Sequence, residues 1–185
     1  MSASDSKRSR FEISVSPHVD AAYNLARWLT GNDHDAEDVV QETMLRAFMY
    51  FDGFRGGDAR SWLLKIVRNT CFTWLETNRP SEIAAMTAEE LQDAVEPLAY
   101  SELADDPETL ALRRTAALRL NDAIATIPAA FREVVVLREM EGFSYKEIAT
   151  VVDAPIGTVM SRLARARAEL RRILARSSCI KGASK

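Results

Sequence analysis

The chain has 185 residues, of which 47% are hydrophobic and 28% charged, which predicts one or two folded domains with apolar cores. No run approaches the ~18 consecutive apolar residues of a membrane span, and two cysteines with two histidines offer no metal-site spacing. The net charge of −3 hides an asymmetry, because residues 81–112 hold nine acids and no lysine or arginine, whereas the C-terminal end is basic.

The first sixteen residues are polar, and no apolar stretch follows the basic residues Lys7, Arg8 and Arg10. A secretory signal requires such a stretch. We therefore expect residues 1–16 to form a disordered leader of a cytoplasmic protein.

Apolar residues then recur with the 3.6-residue period of helices, and strand signals are nearly absent. A first domain is predicted over residues 17–79, with helices at Pro17–Leu29, Asp35–Phe51 and Arg60–Thr77. The inward stripe predicted for the second helix is Val40, Met44, Ala47, Phe48 and Phe51. The opposite face carries Asp35, Asp38, Gln41, Glu42 and Arg46. A loop before the third helix is indicated by Gly53, Gly56 and Gly57.

Residues 80–109 differ in character, because three prolines interrupt an acidic stretch with few aromatic residues. This composition predicts a flexible linker. A second domain is predicted over residues 110–176, followed by a tail at 177–185, and its helices are Leu110–Ile127, Ala129–Met140, Tyr145–Val152 and Ile156–Arg176. The predicted fold class is all-α, with two small helical domains joined by a flexible acidic linker.

A helix-turn-helix is the strongest local signal in the second domain. Ser144 and Glu147 fit the capping box that starts a helix, and residues 153–155 supply the turn before the next helix. The residues of the motif are Tyr145, Glu147, Ile148, Ala149, Pro155, Gly157, Val159 and Leu163. The second helix of such a motif enters the major groove of DNA, where arginine and hydroxyl side chains contact bases and phosphates. A solvated arginine-rich helix is the alternative.

Two groups of motifs resemble those of one family, the extracytoplasmic-function sigma factors. Residues 119–174 resemble region 4 of that family, through the runs IPAAFREVVVLR (127–138), EGFSYKEIA (141–149) and PIGTVMSRLARAR (155–167). Residues 20–79 resemble region 2, through DAEDVVQET (35–43), FRGG (54–57) and SWLLKIVRN (61–69). The two matches follow the order of the family. Met160 departs from it, because that position is usually basic or polar.

The resemblance implies an alternative sigma factor that directs transcription of a stress-type regulon and is not an enzyme. Its implied partners are core RNA polymerase, through the β′ clamp helices and the β flap, promoter DNA and an anti-sigma factor, with no cofactor and no membrane contact. The residues implied for polymerase binding are Asp35, Asp38, Gln41 and Glu42. Those implied for the −10 promoter element are Phe54, Arg55, Arg60, Lys65, Arg68 and Asn69. Those implied for the −35 element are Thr158, Ser161, Arg162, Arg165 and Arg167. The acidic linker either rests on the basic last helix and inhibits stray DNA binding, or its acids keep it soluble and line the path of the emerging RNA in the polymerase complex.

Two other interpretations stay open at this point. A sigma mimic that only sequesters an anti-sigma factor needs neither a basic recognition helix nor a loop for melted DNA. A helix-turn-helix repressor or activator leaves the residues of the first domain unexplained. An enzyme is disfavoured, because the sequence contains no nucleophile–base pair, phosphate-binding loop or metal cluster. Cys71 lies in an apolar helix and is expected to be a buried thiol.

Overall fold

The computed structural model describes residues 3–83 and 107–182, which are helical with short connections and contain no strand. The expected all-α class is confirmed. The helices are α1 (Ala3–Val15), α2 (Val19–Thr30), α3 (Asp33–Tyr50), α4 (Ala59–Asn78), α5 (Pro107–Thr126), α6 (Ala129–Val135), α7 (Tyr145–Val152) and α8 (Ile156–Gly182). Within the two described ranges, no helix is long and apolar enough to cross a membrane. Most of the predicted linker, residues 84–106, lies outside the described residues.

The structure differs from the prediction at the N-terminus, where α1 occupies most of the stretch expected to be a disordered leader. Phe11 and Val15 lie one helical turn apart and are both buried. The ring of Phe11 meets the rings of Phe48 and Phe51 edge-on, at centroid distances of 5.2 Å and 5.3 Å. These contacts hold α1 against the core. The sequence did not predict this helix because most residues around Phe11 and Val15 are polar.

Helices α2, α3 and α4 pack against one another in the N-terminal half, which we define as residues 3–83. The buried face of α3 consists of Ala36, Val39, Thr43 and Ala47. It is rotated by about one residue from the predicted stripe, since Val40 and Met44 are only partly buried, whereas Ala47 and Phe51 are buried as predicted. Phe48 is consequently 38% exposed. Cys71 is buried, as predicted.

The helix-turn-helix lies in the C-terminal half, which we define as residues 107–182. Helix α7 has the predicted bounds, and the predicted capping box is present: the Ser144 amide donates to the Glu147 carboxylate at 2.7 Å, and the Glu147 amide donates to the Ser144 hydroxyl. Asp153 ends α7 with a left-handed backbone, at φ 55°. Val159 and Leu163 are buried and form the inner face of α8. Local hydrogen bonds therefore set the start and the end of α7.

The two halves pack directly against each other, α4 on α7 and α2 on α6. Arg132, which is buried, donates hydrogen bonds to the carbonyls of Trp28 and Leu29 at the end of α2, at 3.0 Å and 3.3 Å. It also donates to the carbonyls of Ala125 and Ile127. One guanidinium thus satisfies carbonyls at the ends of two helices, one in each half.

Candidate polymerase- and DNA-binding surfaces

The exposed face of α3 carries the acidic residues predicted for polymerase binding. Asp38, Gln41 and Glu42 are exposed and lie on one face, as their spacing of three and four residues requires. Asp35 is half-buried: its carboxylate accepts from the side-chain amide of the N-cap residue Asn32, and its backbone amide donates to Asn32 Oδ1 at 2.9 Å. Asp35 therefore contributes more to the start of the helix than to the exposed face.

Two large apolar side chains continue this face and were missed in the sequence analysis. Leu45 is 69% exposed and Met49 is 71% exposed, and they follow Glu42 at helical spacing. We call Asp38, Gln41, Glu42, Leu45 and Met49 the α3 stripe. Adjacent exposed apolar residues with a charged border are typical of a protein-binding surface. The available signal was the interruption of a polar helical face by Leu45 and Met49.

The loop before α4 borders a cavity of about 410 Å³ that has one aromatic wall. Phe54 and Trp62 lie 4.9 Å apart, measured between ring centroids, and both are partly buried against the core. Gly56 and Gly57 have positive φ angles of 88° and 104°, so the loop uses backbone that favours glycine. The cavity lining consists of Phe54, Gly56, Asp58, Ser61, Trp62, Lys65, Lys146, Glu147 and Thr150.

The remaining residues predicted for the −10 element lie along α4 and its preceding loop. Arg55 and Asn69 are exposed, as a DNA contact requires. Arg60, Lys65 and Arg68, which we call the α4 cations, instead form ion pairs with the C-terminal half. Their partners are Glu141, Asp153 and Glu133, in that order, which we call the facing acids.

Glu133 is the most enclosed of the facing acids. Its carboxylate accepts from Arg68 Nε at 2.8 Å and from Arg162 at 3.5 Å, and it is fully buried. Burial raises the pKa of the Glu133 carboxyl, and the two guanidinium groups only partly oppose this rise. Burying the negative charge of Glu133 therefore costs free energy, and the ion pairs with Arg68 and Arg162 offset part of that cost.

On α8, the residues predicted for the −35 element do not all lie on one exposed face. Thr158, Ser161, Arg165 and Arg167 are partly exposed, and Arg167 pairs with Glu139 at 2.6 Å. Arg162 is only 9% exposed, because it lies beside the inward-facing Leu163 and pairs with Glu133. Met160 is 52% exposed on the outer face. Arg165 is therefore more accessible than Arg162 on this helix.

The motif residues of the helix-turn-helix divide into a buried group and an exposed group. Ile148, Val159 and Leu163 are buried, and Tyr145 and Ala149 pack against the core. Glu147, Pro155 and Gly157 are exposed at the cap and the turn. The second group therefore shapes the backbone, whereas the first holds the two helices together.

Comparison with known proteins gives matches in both halves. Residues 15–80 match the family described as Sigma-70 region 2, and residues 117–170 match Sigma-70, region 4. The chain is 36% identical over 166 residues to the ECF RNA polymerase sigma factor SigE of Mycolicibacterium smegmatis, which covers 89% of this chain and 61% of that protein. It is 38% identical over 138 residues to the ECF RNA polymerase sigma-E factor of Escherichia coli K12, covering 72% of this chain and 70% of that protein.

Two solved structures are similar over both halves. The sigma factor RpoE of Bartonella quintana, in complex with the anti-sigma factor NepR, matches with a TM-score of 0.64 and 27% identity, covering 90% of this chain and 97% of that one. CnrH, in complex with the cytosolic domain of CnrY, matches with a TM-score of 0.60 and 26% identity, covering 91% and 89%.

Proposed function

The chain belongs to the extracytoplasmic-function sigma factors of the sigma-70 family, and we propose that it directs core RNA polymerase to a set of stress-type promoters. In this role it binds the polymerase, recognises the −35 and −10 elements and starts transcription in the cytoplasm. The polymerase supplies the catalysis, in keeping with a family of initiation factors that are not enzymes.

The observation that carries this proposal is the presence of two different candidate DNA surfaces in one chain. The cavity lined by Phe54 and Trp62 has a volume within the ~300–1,000 Å³ typical of ligand sites, and its aromatic wall suits a base extruded from single-stranded DNA. The outer face of α8 suits the major groove of a duplex. A duplex-binding repressor needs only the second surface, and a sigma mimic needs neither.

The α3 stripe supports polymerase binding. Its carboxylates can pair with basic side chains of a partner helix, and Leu45 and Met49 can bury apolar area beside those pairs. We propose that the α3 stripe binds the β′ clamp helices of the polymerase. The C-terminal half would bind the β flap.

An anti-sigma factor is a further proposed partner. The RpoE structure of Bartonella quintana contains the anti-sigma factor NepR, and the similarity to it extends over 90% of this chain. We therefore propose that a dedicated anti-sigma factor binds both halves of this protein and covers its polymerase-binding surface.

Run-off transcription tests the function directly. Purified protein added to core polymerase is expected to produce discrete transcripts from a subset of a promoter pool, with 5′ ends that share −35 and −10 elements. Core polymerase alone serves as the control. Transcripts that do not depend on the added protein, or an absence of new transcripts across the pool, would contradict the assignment.

The two DNA surfaces are expected to act at different steps of initiation. Arg165→Ala should weaken binding of the holoenzyme to duplex promoter by about 1–3 kcal/mol, the usual cost of losing a base-reading arginine. Asn69→Ala should leave duplex binding intact and reduce the permanganate reactivity of thymines in the opened promoter.

Matched variants separate these effects from general changes of charge and structure. Arg176→Ala removes an exposed arginine farther along α8, and Asn78→Ala removes an exposed amide at the end of α4. Neither is expected to reproduce the defect of its counterpart. If Arg165→Ala and Asn69→Ala fail at the same step, the assignment of separate surfaces is wrong.

A further inference from the structure

The α4 cations all point towards carboxylates of the other half of the molecule. Lys65 Nζ lies 2.9 Å from the Asp153 carboxylate, and Arg68 Nε lies 2.8 Å from the Glu133 carboxylate. Arg60 pairs with Glu141, whose second oxygen accepts from Asn24 at 2.6 Å. The pairs join residues 65 to 88 positions apart, so they exist only while the two halves are in contact.

The same contact narrows access to the aromatic cavity. Phe54 and Trp62 form its wall in the N-terminal half, whereas Lys146 and Thr150 of α7 line it from the C-terminal half. Beside it, the guanidinium of Arg60 lies 4.5 Å from the centre of the Phe143 ring. A strand of DNA entering the cavity along α4 would therefore meet the first helix of the helix-turn-helix.

We propose that the C-terminal half inhibits the −10 surface in cis, with the facing acids occupying the cations that the DNA phosphates would otherwise contact. This inference rests on the proposed function. Carboxylates and phosphates compete for the same guanidinium and ammonium groups, so closure of the two halves and binding of the melted strand exclude each other. Binding to polymerase and promoter then requires the halves to separate.

The contacts between the two halves differ in how strongly salt weakens them. The Lys65–Asp153 pair is partly exposed, with 38% and 77% of the two side chains accessible, so salt weakens it. Arg132 at the other edge binds the uncharged carbonyls of Trp28 and Leu29, which salt affects less. Of the three α4 pairs, Lys65–Asp153 is therefore the most sensitive to salt, whereas Arg68–Glu133, with 17% and 0% of the two side chains accessible, is screened much less.

This mechanism differs from the inhibition expected from the linker. In that hypothesis, the acidic side chains of residues 80–109 would cover the basic last helix, α8. In the structure, folded residues of the C-terminal half supply the acids, and the surface that they cover is α4.

The test reverses two facing acids in the full-length protein. Glu141→Lys combined with Asp153→Lys places like charges opposite Arg60 and Lys65. The radius of gyration from small-angle X-ray scattering at low salt should increase. The affinity for a labelled random-sequence single-stranded oligonucleotide, measured by fluorescence anisotropy, should rise at least ~10-fold relative to a charge-matched control. That control is Asp122→Lys combined with Glu169→Lys, which changes the charge of the same half equally; Asp122 is exposed on α5, and Glu169 pairs with Arg172 of α8.

Each outcome decides for or against the inhibition. Expansion with tighter DNA binding in the first variant alone supports it. An unchanged radius, an equal gain in the control, or expansion without a gain in DNA binding overturns it. If circular dichroism shows that the reversed variant does not fold, Glu141→Gln with Asp153→Asn provides the same comparison, since asparagine also tolerates the left-handed backbone of Asp153. Run-off transcription by the unmodified protein tests the proposed function separately.

Discussion

Replacing Asp38 and Glu42 together by arginine is expected to abolish binding to core RNA polymerase without unfolding the protein. Both side chains are exposed on α3 and belong to the α3 stripe. Losing one member of a charge pair that is desolvated in an interface typically costs 2–5 kcal/mol, and reversed charges add repulsion, so the affinity should fall by about 100-fold or more. Competition with a labelled sigma factor for core polymerase measures the change.

A matched double variant checks whether net charge alone explains such a loss. Glu12→Arg with Asp20→Arg makes the same change of charge at two exposed positions of the N-terminal half, outside the α3 stripe. It should retain core binding to within a few fold. Normal circular dichroism with unchanged core affinity in the Asp38 and Glu42 variant would refute the assignment of this face.

Replacing Glu133 by leucine is expected to lower the free energy of unfolding by about 3 kcal/mol. The substitution removes the buried carboxylate that pairs with both Arg68 and Arg162, and breaking a buried ion pair by removing one partner is strongly destabilising. Urea unfolding followed by far-ultraviolet circular dichroism reports on both halves. Tryptophan fluorescence reports mainly on the N-terminal half, because Trp28, Trp62 and Trp74 all lie there, and on its contact with α7, because Trp62 lines the shared cavity.

Glu133→Gln is the control for this prediction. Glutamine keeps the size of the side chain and one acceptor oxygen for Arg68, so it should cost less than leucine. The circular dichroism transition should shift more than the tryptophan transition in both variants, since Glu133 and Arg162 belong to the C-terminal half. A loss below about 1 kcal/mol for leucine would mean that the apolar side chain compensates for the lost pairs, as happens for some buried ion pairs.

Met160 departs from the family pattern, and its exposure in the structure suggests what it contacts. The sequence shows only that an apolar residue replaces a basic or polar one. Its 52% exposure on the outer face of α8 makes it available to the major groove, where apolar side chains can contact the methyl group of thymine. Arg162, which the sequence pattern assigns to DNA, is instead enclosed beside Glu133.

The features that the sequence determined by itself are those formed between neighbouring residues. The capping box of Ser144 and Glu147 spans three residues, and the turn at Asp153 needs only a side chain that tolerates a left-handed backbone, so the bounds of α7 were predictable. The polar face of α3 followed from helical period alone.

The tertiary structure decided which side chains are enclosed. Phe11 on Phe51, Arg68 on Glu133 and Arg132 on Leu29 join residues 40 to 103 positions apart, and no local pattern encodes such pairs. Arginines with the same spacing and charge in the sequence therefore end as a buried partner of Glu133 or as a candidate reader of DNA, depending on which face of the helix the other half of the core covers.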